Sequence, residues 1–497
     1  MKTDDPNLAR RFVLQAATGL IAGGAVAATG AAVEDVAEQR NEPPVANRDD
    51  VTGRLARYTV DARDRALPPD VMTAAKHRIL DTLGAIISGS RLKPGVMAVK
   101  FLRLQGGTSE ASVWATDIRT SAINAALANG MFAHADETDD FEPITKAHPG
   151  CAVVPAALAM AERDGRSGME LIRAVALGYD VGCRLLLALG PTLVRATHRS
   201  AEGISATFAS TAAAASLARL DELSMRHALS YGAQQLSGLW SWVGDSEHVE
   251  KAFDFASMGA RNGVTAALMA QMGFSGVADV LDGEHNLVQA LSTEPKPEEM
   301  VAGLGNHFWI TETALKVYSV GYPIQSPLDA FLTLHHQHGL TAANVERIVV
   351  KLPEDGGQIV GERTMPDVNG RYIIAVALLD GDVSFESSHS YERMRDPKIL
   401  AAKQRIEFLP DKKLMDPAAP RSALVEVTLR DGRTVSHFTR FAPGTKENPL
   451  STEQVSAKVR KLMSPVLGTK RTESAIQRVL ALESLPDVRQ LRAPLAL

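Results

Sequence analysis

Apolar positions recur every three or four residues from about Thr52 to Thr313 and alternate with polar positions at several places farther along the chain. The first spacing lines one face of a helix, whereas alternation lines one face of a strand. In AINAALANGMFAHA, for example, Ile123, Leu127 and Met131 share one helical face. The pattern therefore predicts an all-helical domain over residues 52–313.

The alternating segments are VERIVVKL, QRIEF and ALVEVTLRDGRTVSHFTRF, in which Asp431-Gly432 separates two strand-like runs. An Asp-Gly pair between such runs is a strong signal for a hairpin. Because helical segments such as RYIIAVALLDG lie between the strands, residues 314–445 are predicted to form a smaller α+β lid domain. The tail, residues 446–497, is again helical and is expected to return to the first domain. The predicted fold is mainly α, with an α+β second domain.

Length, net charge and cysteine content exclude several classes of protein. A chain of 497 residues with 45% hydrophobic residues can bury at least two cores. The net charge of -5, without a basic stripe or zinc-finger spacing, argues against a nucleic-acid partner. Cys151 and Cys183 are the only cysteines, so a disulfide framework or a four-cysteine metal site cannot form. Both lie in apolar helical runs and are predicted to be structural thiols, although one bridge between them stays open.

The first residues have the order of an export signal. Arg10 and Arg11 precede an apolar triplet, and an Ala/Gly run follows from Ala16 to about Ala32. This arrangement resembles a twin-arginine (Tat) signal and predicts export by the Tat machinery to the periplasm. The run is too poor in strongly apolar residues for a stable membrane anchor. We assign residues 1–33 to the signal and 34–51 to a linker; a disordered Ala-rich tail is the alternative.

The acidic stretch HADETDDF, which starts at His134, is the main candidate for chemistry. Carboxylates directly after a helix oppose its partial negative charge, so helix stability does not explain Asp136 and Glu137. Asp139 and Asp140 could instead favour the start of the next helix, and HPG follows shortly afterwards. The function of the stretch therefore has to be sought in what carboxylates and histidines do together.

Three interpretations of the acidic stretch are open. It can be a solvated loop, as most acidic runs are. Carboxylates with His148 also suit a metal ion, but the run lacks the alternation and the glycine of a calcium loop. A buried carboxylate beside others gains proton affinity, and a neighbouring histidine titrates near neutrality. We favour this acid-base interpretation, and no metal ligand is assigned.

Several separate segments occur in an order that resembles the MmgE/PrpD family, which includes 2-methylcitrate dehydratase and cis-aconitate decarboxylase. They are ANGMFAHADETDD with HPGCAVVPAALAMAE, KAFDFASMGARNGVTAALMA, GFSGVADVLDG and LKVYSVGYPIQSPLDA. The resemblance runs from about Leu55 to the last hairpin. It implies a helical domain and a lid with the site between them, a homodimer, and no metal or organic cofactor.

The same resemblance implies the site residues. His148 is expected to act as general base or acid, Tyr372 as a proton donor on the lid, and the acidic group as orienting residues. Lys251 and Lys316 are expected to hold anionic groups of the substrate. The catalytic candidates are Glu137, Asp139, Asp140, His148 and Tyr372, and the substrate-binding candidates are His134, Lys251, Lys316 and Gln325.

The chain also departs from the family pattern. Asp254 and Ala256 replace a histidine and a glycine, Gly321 stands where the decarboxylase branch has histidine, and Gln325 stands where many members have histidine. Lost histidines remove positive charge from the pocket, and Asp254 would add negative charge. We therefore expect a substrate with fewer carboxylates than methylcitrate or aconitate.

The expected function is a cofactor-independent lyase of the dehydratase type that acts on a small hydroxy-carboxylic acid. Elimination of water needs a base for the α-proton, an acid for the departing hydroxyl and cations for the carboxylates. An isomerase or epimerase would use the same proton abstraction. An exported binding protein that has lost catalysis is the third possibility, because function resides in the site and not in the fold.

Overall fold

The computed structural model describes residues 49–497. The predicted signal and nearly all of the predicted linker lie outside these residues. The described chain is mainly helical with a small mixed sheet, which confirms the predicted fold class. The first helix begins at Val51, and Asp50 caps it by accepting a hydrogen bond from the backbone N of Gly53 at 2.6 Å.

The helices before the sheet share one core with the helices after it. The α-helices up to residue 291 are α1 (Val51–Asp61), α2 (Pro69–Gly89), α3 (Lys93–Gln105), α4 (Ala122–Ala133), α5 (Pro149–Asp164), α6 (Gly168–Leu189), α7 (Pro191–Ala196), α8 (Ala201–Leu217), α9 (Glu222–Gln234), α10 (Val249–Ala252), α11 (Met258–Gln271) and α12 (Leu287–Leu291). A π-helical turn, Phe253–Ser257, joins α10 to α11.

The later elements alternate between helix and strand. The α-helices are α13 (Gln325–His338), α14 (Glu354–Val360), α15 (Gly370–Asp380), α16 (Phe385–Ser388), α17 (Pro397–Lys403), α18 (Thr452–Leu467), α19 (Thr469–Leu480) and α20 (Arg492–Leu495). The strands are β1 (Ala111–Ser112), β2 (Arg119–Thr120), β3 (Val345–Leu352), β4 (Ile406–Pro410), β5 (Ala423–Leu429) and β6 (Thr434–Thr439). Short 3-10 turns are Trp240–Gly244, Pro297–Met300, Trp309–Thr311, Tyr322–Ile324, Pro366–Val368, Arg393–Arg395, Lys412–Leu414, Leu482–Ser484 and Val488–Leu491.

Small residues let the central helices of the first core approach closely. Gly259 and Gly263 of α11 lie against Ala206 and Ser210 of α8. A Cβ added at Gly263 would meet the Ser210 backbone carbon at 2.5 Å, so only glycine fits that contact. The alanine-rich composition of these segments therefore sets the distance between the helices.

Replacement of Gly259 by alanine is expected to lower the free energy of unfolding by about 1–3 kcal/mol, because a well-packed core resists added volume. The new Cβ would lie 2.5 Å from the Cβ of Ala206, closer than unstrained atoms pack. Urea unfolding measures the change. Gly244→Ala is the matched control, because a Cβ at Gly244 meets no atom of residues 49–497 within 4 Å apart from those of its own turn. Equal unfolding midpoints for the two variants would contradict the prediction.

The second core lies around a four-stranded sheet with the order β4-β3-β5-β6. Strands β3 and β4 are parallel, and the other pairs are antiparallel. The β5–β6 hairpin turns at the predicted Asp431-Gly432, where Gly432 has φ 86°, a conformation that favours glycine. Helices α13, α15 and α17 contribute to the same core. The residues from Val320 to Leu429 that share this core are thus separate from the first core.

The C-terminal helices join the first core. Val455 and Val459 of α18 are buried in it, and Lys458 pairs with Asp81 of α2 at 2.6 Å. Cys151 and Cys183 are buried and free, so the bridge that the sequence left open is not formed. Across residues 49–497, no helix combines the length and the apolar character that a membrane span requires.

Candidate active site

The acidic stretch forms the connection between α4 and α5, and it is buried. Residues 134–142 are shielded from solvent, so the interpretation as a solvated loop is wrong. Asp140 accepts a hydrogen bond from the backbone N of Gly150 at 2.9 Å and holds the first turn of α5, the position expected for it. Glu137 has φ 53°, an uncommon conformation for a non-glycine residue. Buried carboxylates and strained backbone together are typical of functional sites.

Asp139 is the centre of the hydrogen-bond network. Its Oδ2 accepts from Nδ1 of His134 at 2.9 Å and from Nδ1 of His148 at 2.8 Å, and its Oδ1 accepts from Lys316 Nζ at 3.0 Å. Burial alone would raise the pKa of Asp139, but His134, Lys316 and His148 outweigh it and hold that pKa well below its usual value. The carboxylate is therefore ionised and fixes the orientation of two imidazoles.

Glu137 is the second carboxylate of the cluster. Its Oε2 accepts from Lys316 Nζ at 3.1 Å, and its Oε1 contacts Lys251 Nζ. The Nε2 atoms of His134 and His248 lie 3.7 and 3.5 Å from the same Oε1. Burial holds the pKa of Lys251 well below its usual value, and Lys316 adds to the effect. Lys251 can therefore give up a proton near neutrality more easily than an exposed lysine.

His248 was missed by the sequence reasoning. Its Nδ1 donates to Asp367 Oδ2 at 2.8 Å, which joins the first core to the loop before α15. Burial would lower the pKa of His248, but the charge of Asp367 and the hydrogen bond to it raise that pKa above its usual value. A local signal existed, because His248 stands three residues before Lys251, but Asp367 is an isolated residue in a distant segment.

A narrow cleft opens on this cluster. His148, Glu137 and Lys251 line it, together with aromatic side chains. Lys251 Nζ lies 5.3 Å from the ring centre of Trp242 and 4.9 Å from that of Phe255. Such cation–π contacts hold the ammonium group in a mostly apolar wall. The cleft therefore combines a histidine, a cation and apolar surface, which suits a small organic anion.

The structure does not bring every predicted residue to this cleft. Tyr372 is fully buried in the second core, where its hydroxyl donates to Ser387 O at 2.5 Å. Tyr322 lines the cleft instead, with its ring stacked on that of Phe141 at 4.3 Å. The expected tyrosine therefore does not line the cleft, because a segment resemblance does not show which side chain faces the opening.

Two further candidates, Lys316 and Gln325, lie behind the cluster and support it. Lys316 is fully buried and bridges the carboxylates of Glu137 and Asp139 instead of lining the cleft. The Gln325 amide accepts from Val317 N at 3.2 Å and donates to Val320 O at 3.1 Å, so it holds the loop after Lys316. These residues shape the site without facing the cleft.

Asp254 does not add charge to the cleft as expected. It does not line the cleft, and Ser200 Oγ donates to its carboxyl. Burial raises the pKa of Asp254 to about 7, with nearby Glu202 also raising it. A carboxyl that is partly neutral at pH 7 and turned into the helical core changes the charge of the pocket little. The expectation of a substrate with fewer carboxylates loses this support.

The donor atoms of two residue groups lie close enough for a metal ion. They are His134, Glu137 and His248, and His134, Asp139 and His148, with their donor atoms within 4.8 Å of one another. The ammonium groups of Lys251 and Lys316 already neutralise the carboxylates of both groups. A divalent cation would have to displace both lysines from these carboxylates, so the set suits proton transfer better than metal binding.

Comparison with known proteins agrees with the resemblance seen in the sequence. The MmgE/PrpD N-terminal domain matches residues 53–300, and the MmgE/PrpD C-terminal domain matches residues 318–483. A cis-aconitate decarboxylase-like protein of Aspergillus oryzae is 26% identical, with 89% of this chain and 96% of the relative covered. The cis-aconitate decarboxylases of Aspergillus terreus and Homo sapiens are 25% and 27% identical, covering 89% and 84% of this chain and 95% and 88% of the relatives. The chain therefore belongs to the MmgE/PrpD family.

Proposed function

We propose that this protein is a lyase that removes a proton beside a carboxylate of a small carboxylic acid, with His148 as the base. The observation that carries the proposal is the hydrogen bond of 2.8 Å between Nδ1 of His148 and Asp139 at a cleft. Because Nδ1–H donates to a carboxylate, Nε2 keeps its lone pair and can accept a proton. Asp139 then stabilises the imidazolium that forms.

Lys251 supplies the positive charge for the substrate in this proposal. Its ammonium group lines the cleft beside Glu137 and can bind a carboxylate or the enolate that develops when the proton leaves. Its lowered pKa also suits it to deliver a proton to a departing hydroxyl. The base, His148, thus lies at the end of the loop between α4 and α5, and Lys251, which serves as acid and anion holder, lies on α10.

Loss of water and loss of carbon dioxide are both lyase reactions that such a site could catalyse. The names of the relatives support the decarboxylase, whereas Gly321 in place of the histidine of that branch favours the dehydratase. We propose the dehydratase first, without a metal or organic cofactor. An isomerase or epimerase would use the same base and return the proton.

The test is incubation of the full chain with 2-methylcitrate, cis-aconitate and smaller hydroxy acids in D2O, followed by proton NMR and by measurement of released carbon dioxide. New alkene signals from a hydroxy acid, unaffected by a chelator, are expected. Carbon dioxide release would move the assignment to a decarboxylase, and deuterium exchange alone to an isomerase. Binding without any reaction would contradict the lyase and favour a binding protein.

Export by the Tat machinery and dimerisation are further proposals. The first rests on Arg10, Arg11 and the Ala/Gly run, and the second on the family resemblance. Cell fractionation and size-exclusion chromatography test them separately. Recovery of the protein from the cytoplasm alone would contradict export, and the mass of one chain would contradict the dimer.

A further inference from the structure

A second set of positive charges lines the same cleft. Arg195 and Arg421 belong to its wall. Cζ of Arg421 lies 5.8 Å from the ring centre of Phe141, and that ring centre lies 5.0 Å from that of His148. One aromatic ring therefore separates the Arg421 guanidinium from the proposed base.

Both guanidinium groups keep unused donors. Arg421 is 7% exposed, and within residues 49–497 its hydrogen bonds all come from Nη1, to Asp355 at 2.9 Å and to Pro420 O at 2.8 Å. Arg195 donates from Nη2 to Glu202 at 3.1 Å. Nε of each arginine is buried and has no acceptor among the described residues. A buried donor without an acceptor is costly, so these atoms favour an acceptor that arrives in the cleft.

Three cations lie close together at these arginines. Glu202 pairs with Arg195, Asp355 pairs with Arg421 and with Lys146, whose Nζ lies 3.7 Å from Asp355 Oδ2, and Glu142 also acts on Lys146. Burial lowers the pKa of Lys146 to about 7, and the positive charges of Arg421 and Arg195 add to that effect. An added anion would relieve the repulsion among the three cations.

We propose that Arg195 and Arg421 form a second anion subsite, which binds a carboxylate of the substrate remote from the one beside the reacting carbon. Arginine suits this task because Nε and Nη2 form a planar edge that binds a carboxylate through two parallel hydrogen bonds. Among residues 49–497 nothing accepts from this edge of Arg421, whereas Nη2 of Arg195 already donates to Glu202, so Arg195 contributes mainly through Nε. The subsite rests on the proposed function and deepens it, because it makes the two arginines the residues that select a substrate with at least two carboxylates. It replaces the expectation of fewer carboxylates.

The test compares two five-carbon acids that differ at one end, glutarate with two carboxylates and pentanoate with one. Isothermal titration calorimetry of the full chain should show glutarate binding at least about tenfold more tightly than pentanoate. Arg421→Gln should remove most of this preference and leave the affinity for pentanoate within about twofold. Arg195→Gln should reduce the preference in the same direction.

The controls separate binding from damage to the fold. Arg347→Gln removes an exposed arginine that pairs with Glu407 on the sheet and should leave the preference unchanged. Arg195 is partly exposed, so Arg195→Gln keeps the test informative if Arg421→Gln does not fold. The subsite would be overturned if glutarate did not bind, or if the unmodified chain bound glutarate and pentanoate equally well. It would also be overturned if the folded arginine variants kept the preference for glutarate. The calorimetric measurement does not require a catalysed reaction. If the lyase assay failed but glutarate still bound more tightly than pentanoate, the lyase proposal would be rejected and the anion subsite would stand.

Discussion

Replacement of His148 by alanine should lower kcat by about two to four orders of magnitude, the usual contribution of a general base. The imidazole lines the cleft, and Asp139 fixes it through Nδ1, so Nε2 is left to accept the proton. The rate is to be measured on whichever acid the NMR assay identifies, together with far-ultraviolet circular dichroism to check the fold.

His336→Ala is the matched control, because His336 is exposed on the last turn of α13 and its removal should leave kcat within about twofold. If His148→Ala kept kcat within tenfold of the unmodified chain, His148 would be excluded as the base. In that case His248 would be the next residue to test, because its Nε2 lies 3.5 Å from Glu137.

The second large effect is expected on stability, from Asp139→Asn. The change removes one buried negative charge and leaves Lys316 and two imidazoles without it, which should cost about 3–5 kcal/mol of unfolding free energy. Urea unfolding at pH 7 measures the loss. Asp117→Asn, an exposed substitution with the same chemistry, should change the free energy by less than about 0.5 kcal/mol.

The pH dependence of this loss has a defined sign. The pKa of Asp139 in the folded state lies well below its usual value of 3.8, so its stabilisation is complete above that value. It disappears as the pH falls through the folded-state pKa. The difference between the unmodified chain and Asp139→Asn should therefore be constant from about pH 5 to pH 8 and shrink in acid. A difference that grows in acid would contradict an ionised Asp139.

The fold was predictable where the signal is local. Helix α4 ends at Ala133, directly before the acidic stretch, and the hairpin turns at Asp431-Gly432, because apolar periodicity and turn residues act over a few positions. The start of α5 at Pro149 follows from the same kind of signal. Such features are set by residues that are close in sequence, so they can be recognised from one sequence alone.

The site was predictable only in part, for a physical reason. His148 and the acidic stretch stand close together in sequence, so their clustering could be expected. Arg195 and Arg421 stand far apart, and a lone arginine carries no sign that it borders a cleft. Tyr372 does not line the cleft, because the resemblance identified its segment but not the side of the helix that faces the opening.

The position of Lys316 has a consequence for the modularity of the family. This lysine neutralises Glu137 and Asp139, yet it lies after the N-terminal match ends at residue 300 and before the C-terminal match begins at residue 318. The segment between the two matched domains thus supplies a positive charge that neutralises the carboxylates of the site. A chimera that exchanges whole domains between relatives must carry this short segment with the acidic stretch that it neutralises. Cutting the chain into its two recognisable halves would leave both halves chemically incomplete.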